Sequence, residues 1–389
     1  MPSLPVLPRQ RIVSIDALRG LTFFVMLFVN ALSGASGVPP GLKHVAATVD
    51  GMGLADFVFP AFLYVVGMSI PFGLNRSVAT HGFGKTLRQV AARAFGLIVL
   101  GLFMVNAEEG YNEAAMGMSI HLWLLCFYAA AFLVWGAFRF AQPWHDRLLR
   151  GIGVAGIVAL ACVYRSGADG QLWMTTAWWG ILGCIGWAYL VTSLVYLAGA
   201  GRKLVLALAT MACVLWFGVS QAVDGNGVIA MHATHTSIAL CGAWCVMLFF
   251  DRQADKGSRV LAAGAALAGF LAVCAWLLHR VYPVSKIGAT PPWALYCAAL
   301  CTGLFVLLYW LIELRGVTRW TALVEPAASN PLVTYLLPMI LVAGMRLLGL
   351  HWWPALMQGT GAILFSLLFA AAVMAVVAIL NTRNFKLKL

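Results

Sequence analysis

The residues best suited to chemistry fall in two short stretches and at a few isolated positions. The first stretch runs Lys43-His44-Val-Ala-Ala-Thr-Val-Asp50-Gly-Met-Gly-Leu-Ala-Asp56. A histidine oriented by a carboxylate can act as a general base or accept an acyl group. His44 is therefore a candidate catalytic residue, with Asp50 and Asp56 as its carboxylate partners. The plainer reading is a solvated loop histidine. Asn30 closes the run Leu27-Phe-Val-Asn30. Its amide could stabilise a developing oxyanion or simply hydrogen-bond a neighbouring helix. The second stretch is Arg11-Ile-Val-Ser14-Ile-Asp16-Ala-Leu-Arg19-Gly20. Ser14 reads as a helix N-cap, Asp16 suits the first turn, and Arg19 shares a face with Asp16. That pattern fits an interfacial ion pair. It equally fits a cytoplasmic anion site, because an arginine inside a membrane span is a functional candidate.

His232-Ala-Thr-His235 places two imidazoles on one helix face. Two ligands cannot complete a zinc site and no third is evident, so no metal is expected. A polar cavity lining or interfacial histidines are the readings left. Asn330-Pro-Leu-Val-Thr-Tyr335-Leu-Leu-Pro338 opens a helix, with Asn330 at the N-cap and Pro331 at N1. Arg346 either snorkels outward or lines a pocket.

The elements that position these residues follow from composition. Of 389 residues, 62% are hydrophobic and 10% are charged, too few charges to cover a soluble fold of this size. Mean hydropathy is +0.90. Apolar runs recur at 17–35, 56–74, 90–106, 119–138, 151–166, 177–199, 204–222, 235–250, 260–278, 293–312, 330–350 and 359–381. Each approaches the roughly 20 residues needed to cross a bilayer, and a spanning segment must satisfy its own backbone. The expectation is an all-α polytopic bundle of 10 to 12 transmembrane helices, forming a single domain over 1–389. The 36–55 connection is the longest, which makes it the first place to look for function.

The net charge of +12 does not point to nucleic acid, because the basic residues form short clusters between apolar runs. With the N-terminus inside, only Lys43, Arg165, Arg280, Lys286 and Arg346 of the 25 Lys and Arg residues fall outside. The positive-inside rule then places both termini in the cytoplasm. The nine cysteines all lie in apolar runs and read as small buried hydrophobes.

In order and spacing, Arg11-x-x-Ser14-x-Asp16-x-x-Arg19-Gly20, Val29-Asn30, Lys43-His44, Ala55-Asp56-Phe-Val-Phe-Pro60, Lys286-Ile-Gly-Ala-Thr-Pro-Pro-Trp293 and Asn330-Pro-Leu-x-x-Tyr335-Leu-Leu-Pro338 resemble a known family. It is that of the transmembrane acetyltransferases typified by heparan-α-glucosaminide N-acetyltransferase, and within it the bacterial NagX-type branch. Two departures stand out. The His44-to-Asp56 stretch is longer than in the animal enzyme and lacks its Trp-Asn-Gly. Met118-Ser-Ile-His121-Leu-Trp123 replaces the family's Pro-Gly-Val-Leu-Gln-Arg run.

The resemblance implies transfer of an acetyl group from cytoplasmic acetyl-CoA to the amine of a periplasmic glucosamine or glucosaminide, either a small amino sugar or a chain end. It implies catalytic roles for His44, Asn30 and Asp56, and acetyl-CoA contacts at Arg19, Asp16 and Asn330. The setting would be a bacterial inner membrane, with lipids as neighbours and a homodimer compatible with such a chain. Two rival readings are an amino-sugar or N-acetylglucosamine permease, which twelve spans would suit, and an envelope-glycan O-acetyltransferase.

Overall fold

In a computed structural model the protein is described over residues 4–388, apart from 6, 9–10, 139–141, 177, 224–226 and 252–256. Arg9, Arg139, Arg252 and Lys256, among the Lys and Arg residues expected on the inner side, lie outside the described residues. Every apolar run becomes a helix. The twelve are α1 (Val13–Leu32), α2 (Leu54–His81), α3 (Phe83–Asn106), α4 (Ile120–Trp135), α5 (Pro143–Val163), α6 (Gly180–Ala198), α7 (Lys203–Val223), α8 (Gly227–Phe250), α9 (Ser258–His279), α10 (Pro291–Tyr309), α11 (Pro331–Leu347) and α12 (Gly359–Thr382). Among the described residues, nine are long and apolar enough to cross a membrane. The other three fall short for physical reasons: α4 and α11 are 16 and 17 residues long, and α5 begins with the polar Trp-His-Asp-Arg turn.

Inter-loop hydrogen bonds show how the helices alternate. At one face Ser36 N–H donates to Met357 (3.0 Å), Gly51 N–H to Val284 (2.9 Å) and Asn112 N–H to Arg165 (3.0 Å). At the opposite face Arg11 meets Glu325, Lys203 meets Asp251 and Ala137 N–H donates to Lys386. The 36–53 connection therefore lies at one end of the bundle, and the start of α1 and the end of α12 lie at the other.

The core is built around α2 and α8, where 72% and 78% of the most apolar stretch is buried, against 22% for α7 and 28% for α9 and α12. The two central helices touch backbone to backbone. A Cβ at Gly67 would stand 1.9 Å from the Ala239 carbonyl, and one at Gly242 would stand 2.1 Å from the Tyr64 carbonyl. Small residues at a membrane helix crossing allow this approach. Tyr64 Oη and Thr302 Oγ1, 2.7 Å apart, bind α2 to α10. The outer helices expose Leu204, Leu215, Phe270, Trp276, Leu364 and Leu368, which suits contact with lipid rather than water. Cys184, Cys241, Cys245, Cys297 and Cys301 are buried, as expected for small hydrophobes, whereas Cys126 and Cys162 are exposed; all nine are free thiols.

Candidate active site

α2 starts at Leu54 because Gly53 takes the N-cap position and Asp56, at N3, reaches back to it. Asp56 Oδ2 accepts the Gly53 N–H at 3.0 Å, the carboxylate half of a capping box. The same oxygen accepts the Val45 N–H at 3.0 Å. Oδ1 lies 2.7 Å from His44 Nδ1. The Asp56 side chain is 2% exposed and that of His44 is 48% exposed. A buried carboxylate needs donors, so the proton of the pair sits on Nδ1 and is donated to Asp56. Nε2 then keeps its lone pair. Gly53 permits this packing: a Cβ there would stand 2.1 Å from the Lys43 carbonyl, pushing away the residue before the histidine.

Asp50, the other expected partner, is used elsewhere. It sits 2.9 Å from His279 Nε2 and accepts the Val284 N–H at 2.8 Å. The His279 hydrogen bond, followed by that of Val284, holds its carboxyl below the usual range. Lys43 Nζ donates to the Ala35 carbonyl. The connection is thus tied to α1, to the α9–α10 loop and to α2, and His44 is held by its frame instead of swinging free.

Lys286 is a functional candidate that residue-by-residue reading of the sequence passed over. Its Nζ lies 3.3 Å from His44 Nδ1. Burial lowers its pKa, partly offset by the Asp56 charge. The signal was present in the Lys286-to-Trp293 motif, whose Trp293 Nε1 donates to the Asp56 carbonyl at 3.3 Å. Asn30 lies in the last turn of α1 at the same face, exposed. Its side chain forms no hydrogen bond among the described residues, so it shares the face with the His44 loop without being joined to it.

Asp16, Arg19 and Asn330 lie toward the opposite face. Arg19 donates to Asp16 Oδ1 at 2.7 Å, to Ser69 Oγ at 2.8 Å and to the Ala328 carbonyl at 3.4 Å. Asp16 also pairs with Arg11, which reaches Glu325 at 2.6 Å. The expectation that Ser14 caps α1 is corrected. The N-cap position is Ile12, and Ser14 lies inside the helix with its N–H and Oγ both donating to Glu313 at 3.1 Å. A carboxylate distant in sequence satisfies the open helix amide. Asn330 stands at the N-cap position of α11 without capping it. Its Nδ2 donates to Asn381 Oδ1 at 3.0 Å and to the Phe385 carbonyl at 2.8 Å, tying α11 to the end of α12.

Arg19, Ser69, Ser77, Gln89, Arg93 and Tyr335 are among the residues lining a cavity of about 740 Å³ at this end, within the size range of ligand pockets. Phe23 and Phe62, in edge-to-face contact at 4.6 Å, also line it. Asp56 is six residues above Phe62 on α2, about 9 Å along the helix axis.

These features define a polytopic helical membrane protein with a histidine–carboxylate pair at one face and an arginine-rimmed cavity at the other. The chain belongs to the family described as Domain of unknown function (DUF5009), whose model matches residues 11–233. It is 36% identical over 105 residues to heparan-alpha-glucosaminide N-acetyltransferase of Homo sapiens. The identity to the Mus musculus protein of the same name is 34% over 99 residues. The matched stretches make up 26% and 25% of this chain, and 15% and 14% of the length of those relatives. The resemblance to transmembrane acetyltransferases expected from the motifs is thereby borne out. Lys286 and His279 lie beyond the family-model match, while His44, Asp56 and Arg19 lie within it.

Proposed function

We propose that this chain is an acetyltransferase that moves an acetyl group from cytoplasmic acetyl-CoA to the amine of an amino sugar on the far side of a bacterial inner membrane. The observation that carries the reading is the 2.7 Å contact between half-exposed His44 and buried Asp56. Asp56 fixes the tautomer and ring orientation, as the carboxylate does in a nucleophile–histidine–aspartate triad. Nε2 is then free to take the proton of an approaching ammonium or to carry an acetyl group. Lys286 counters the Asp56 charge, and Asn30 offers an amide donor at the same face. Acetyl-CoA supplies the activated thioester. The cavity suits it: Arg19 and Arg93 offer cations for phosphates, and the apolar lining, Phe23 and Phe62 included, suits a thin acyl-bearing arm. In this reading the Arg19 face is cytoplasmic and the His44 face is periplasmic, in accord with the distribution of Lys and Arg. The family relationship supports an acetyltransferase; glucosamine or a glucosaminide as acceptor is the finer part of the proposal.

Sealed vesicles test the reading. Labelled acetyl-CoA is supplied on the Arg19 side and glucosamine on the His44 side, with labelled N-acetylglucosamine expected on the latter. Sugar uptake without acetyl transfer would establish a permease instead. Orientation is tested separately with an impermeant thiol reagent, which is expected to label Ala46→Cys from outside and not Gly84→Cys. Incubation with labelled acetyl-CoA and no sugar separates the two chemical routes. Label on the His44 peptide marks an acyl-imidazole. No label, with normal turnover once sugar is added, marks direct transfer.

A further inference from the structure

The expectation that His232 and His235 lack a third ligand does not hold once the chain is folded. Cys184, in the first turns of α6, enters the same cluster, and the ligand atoms of the three residues all lie within 4.8 Å of one another. Cys184 and His235 are buried. Both ring nitrogens of His232 and Nδ1 of His235 are shielded from solvent and have no hydrogen-bond partner. Buried imidazole nitrogens normally find partners. Each neutral ring carries one lone pair, so His232 and His235 can each turn one nitrogen, beside the thiol, to a shared ligand that accepts lone pairs. The shell is aromatic. Trp179 and Trp187 flank His232, and Phe59 and Trp293 flank His235. The cluster contains no carboxylate.

We propose that Cys184, His232 and His235 form a binding site for a thiophilic d10 metal cation. Thiolate and imidazole together select Zn²⁺ and Cu⁺ over Mg²⁺, Ca²⁺ or Mn²⁺. Metal–sulfur and metal–nitrogen bonds of about 2.3 and 2.0 Å place ligand atoms roughly 3.3–3.7 Å apart, a contraction that small side-chain rotations supply. Cys184 Sγ now donates to the Trp178 carbonyl at 3.2 Å. On binding it gives up that proton and becomes the thiolate ligand, so one proton leaves per metal ion. One thiolate and two neutral imidazoles carry a single negative charge. Cu⁺ makes a neutral three-coordinate centre in this apolar shell, whereas Zn²⁺ leaves one positive charge and an open fourth position. Cu⁺ is therefore the better match. The site lies behind the catalytic candidate, because Trp293 touches both His235 and the Asp56 carbonyl. A bound metal would brace that wall.

The test uses full-length protein, purified without a histidine tag from cells grown with added copper or added zinc. Metal is measured by mass spectrometry and its environment by X-ray absorption. About one ion per chain is expected, with one sulfur and two nitrogen neighbours. Copper in one preparation or zinc in the other supports the site and identifies the cation. Cys184→Ser, nearly isosteric, and His232→Gln are expected to lose the metal while eluting as folded protein. His44→Ala is expected to keep it. Titration of Cu⁺ or Zn²⁺ into metal-free wild type should raise Tm and release one proton per ion, and neither should occur in Cys184→Ser. Absence of stoichiometric metal from both wild-type preparations, or its full retention in Cys184→Ser and His232→Gln, would overturn the proposal. None of these readouts depends on acetyl transfer, so this proposal and the acetyltransferase reading can fail separately.

Discussion

The two faces of the bundle handle charge in opposite ways. At the His44 face one buried carboxylate accepts from three donors and leaves a single imidazole nitrogen free and reachable. At the Arg19 face the charges answer one another. Arg19 is matched by Asp16, Ser69 and Ala328, Arg11 bridges Asp16 and Glu325, and Glu313 closes on Ser14. The first arrangement fixes one group so that another stays reactive. The second neutralises charge pairwise, with Arg19 and Ser69 also lining the cavity. On the proposed function the first face serves chemistry and the second binding, and substitutions at the two faces should separate them.

The largest effects are expected at the first face. His44→Ala and Asp56→Asn should each lower acetyl transfer by roughly 100- to 10,000-fold. Stability should distinguish them. His44 is half exposed, and its loss should leave thermal unfolding nearly unchanged. Asn at 56 would turn an amide N–H toward buried donors, at a cost of about 1–3 kcal/mol. Turnover in proteoliposomes together with melting curves checks both. Wild-type turnover in His44→Ala would remove the contrast between the faces altogether.

Gly53→Ala comes next. The added Cβ would collide with the Lys43 carbonyl, and overpacking of this kind typically costs about 1–3 kcal/mol. Because the displaced residue precedes His44, the maximal rate should fall while the acetyl-CoA concentration at half-maximal rate stays constant. A change in the latter alone would show that the two faces are not independent.

At the second face, Arg19→Ala should weaken acetyl-CoA binding by roughly tenfold, the usual scale for losing a charged hydrogen bond. The measurement is an acetyl-CoA titration of both proteins. Unchanged affinity with a lowered melting temperature would return Arg19 to a purely structural pair with Asp16.

The smallest effect concerns the tie that holds the His44 loop. The carboxyl of Asp50 is depressed by His279 and Val284, so its contribution is complete above the unfolded value of about 3.9 and is lost as pH falls through the still lower folded value. Protonation of Asp50 should therefore play no part in any pH dependence between 5 and 8. Asp50→Asn should instead speed hydrogen exchange at the Gly51 amide, which bonds Val284, with only a minor loss of turnover. A turnover loss as large as that of His44→Ala would place Asp50, and not Asp56, as the effective partner.

Local pattern settled most of the architecture. The twelve apolar runs became twelve helices because a backbone in lipid must bond to itself, and their edges were marked by Gly, Pro and charge. Asp16 and Arg19 were paired in advance because three residues along a helix is a fixed geometry. Long-range partners followed no such rule. Whether His44 would use Asp50 or Asp56 was open in the chain, since both lie within reach of a flexible loop. The capping box of α2 and the approach of His279 from α9 decided it. Ser14 meets Glu313 across 299 residues, Lys286 meets His44 across 242, and Cys184 reaches two histidines on another helix. Sequence alone determined which segments form apolar helices and which side chains carry reactive atoms, because hydropathy and side-chain chemistry are properties of each residue. Only the tertiary structure decided which of those atoms meet, because helix packing brings together residues whose separation along the chain carries no distance information.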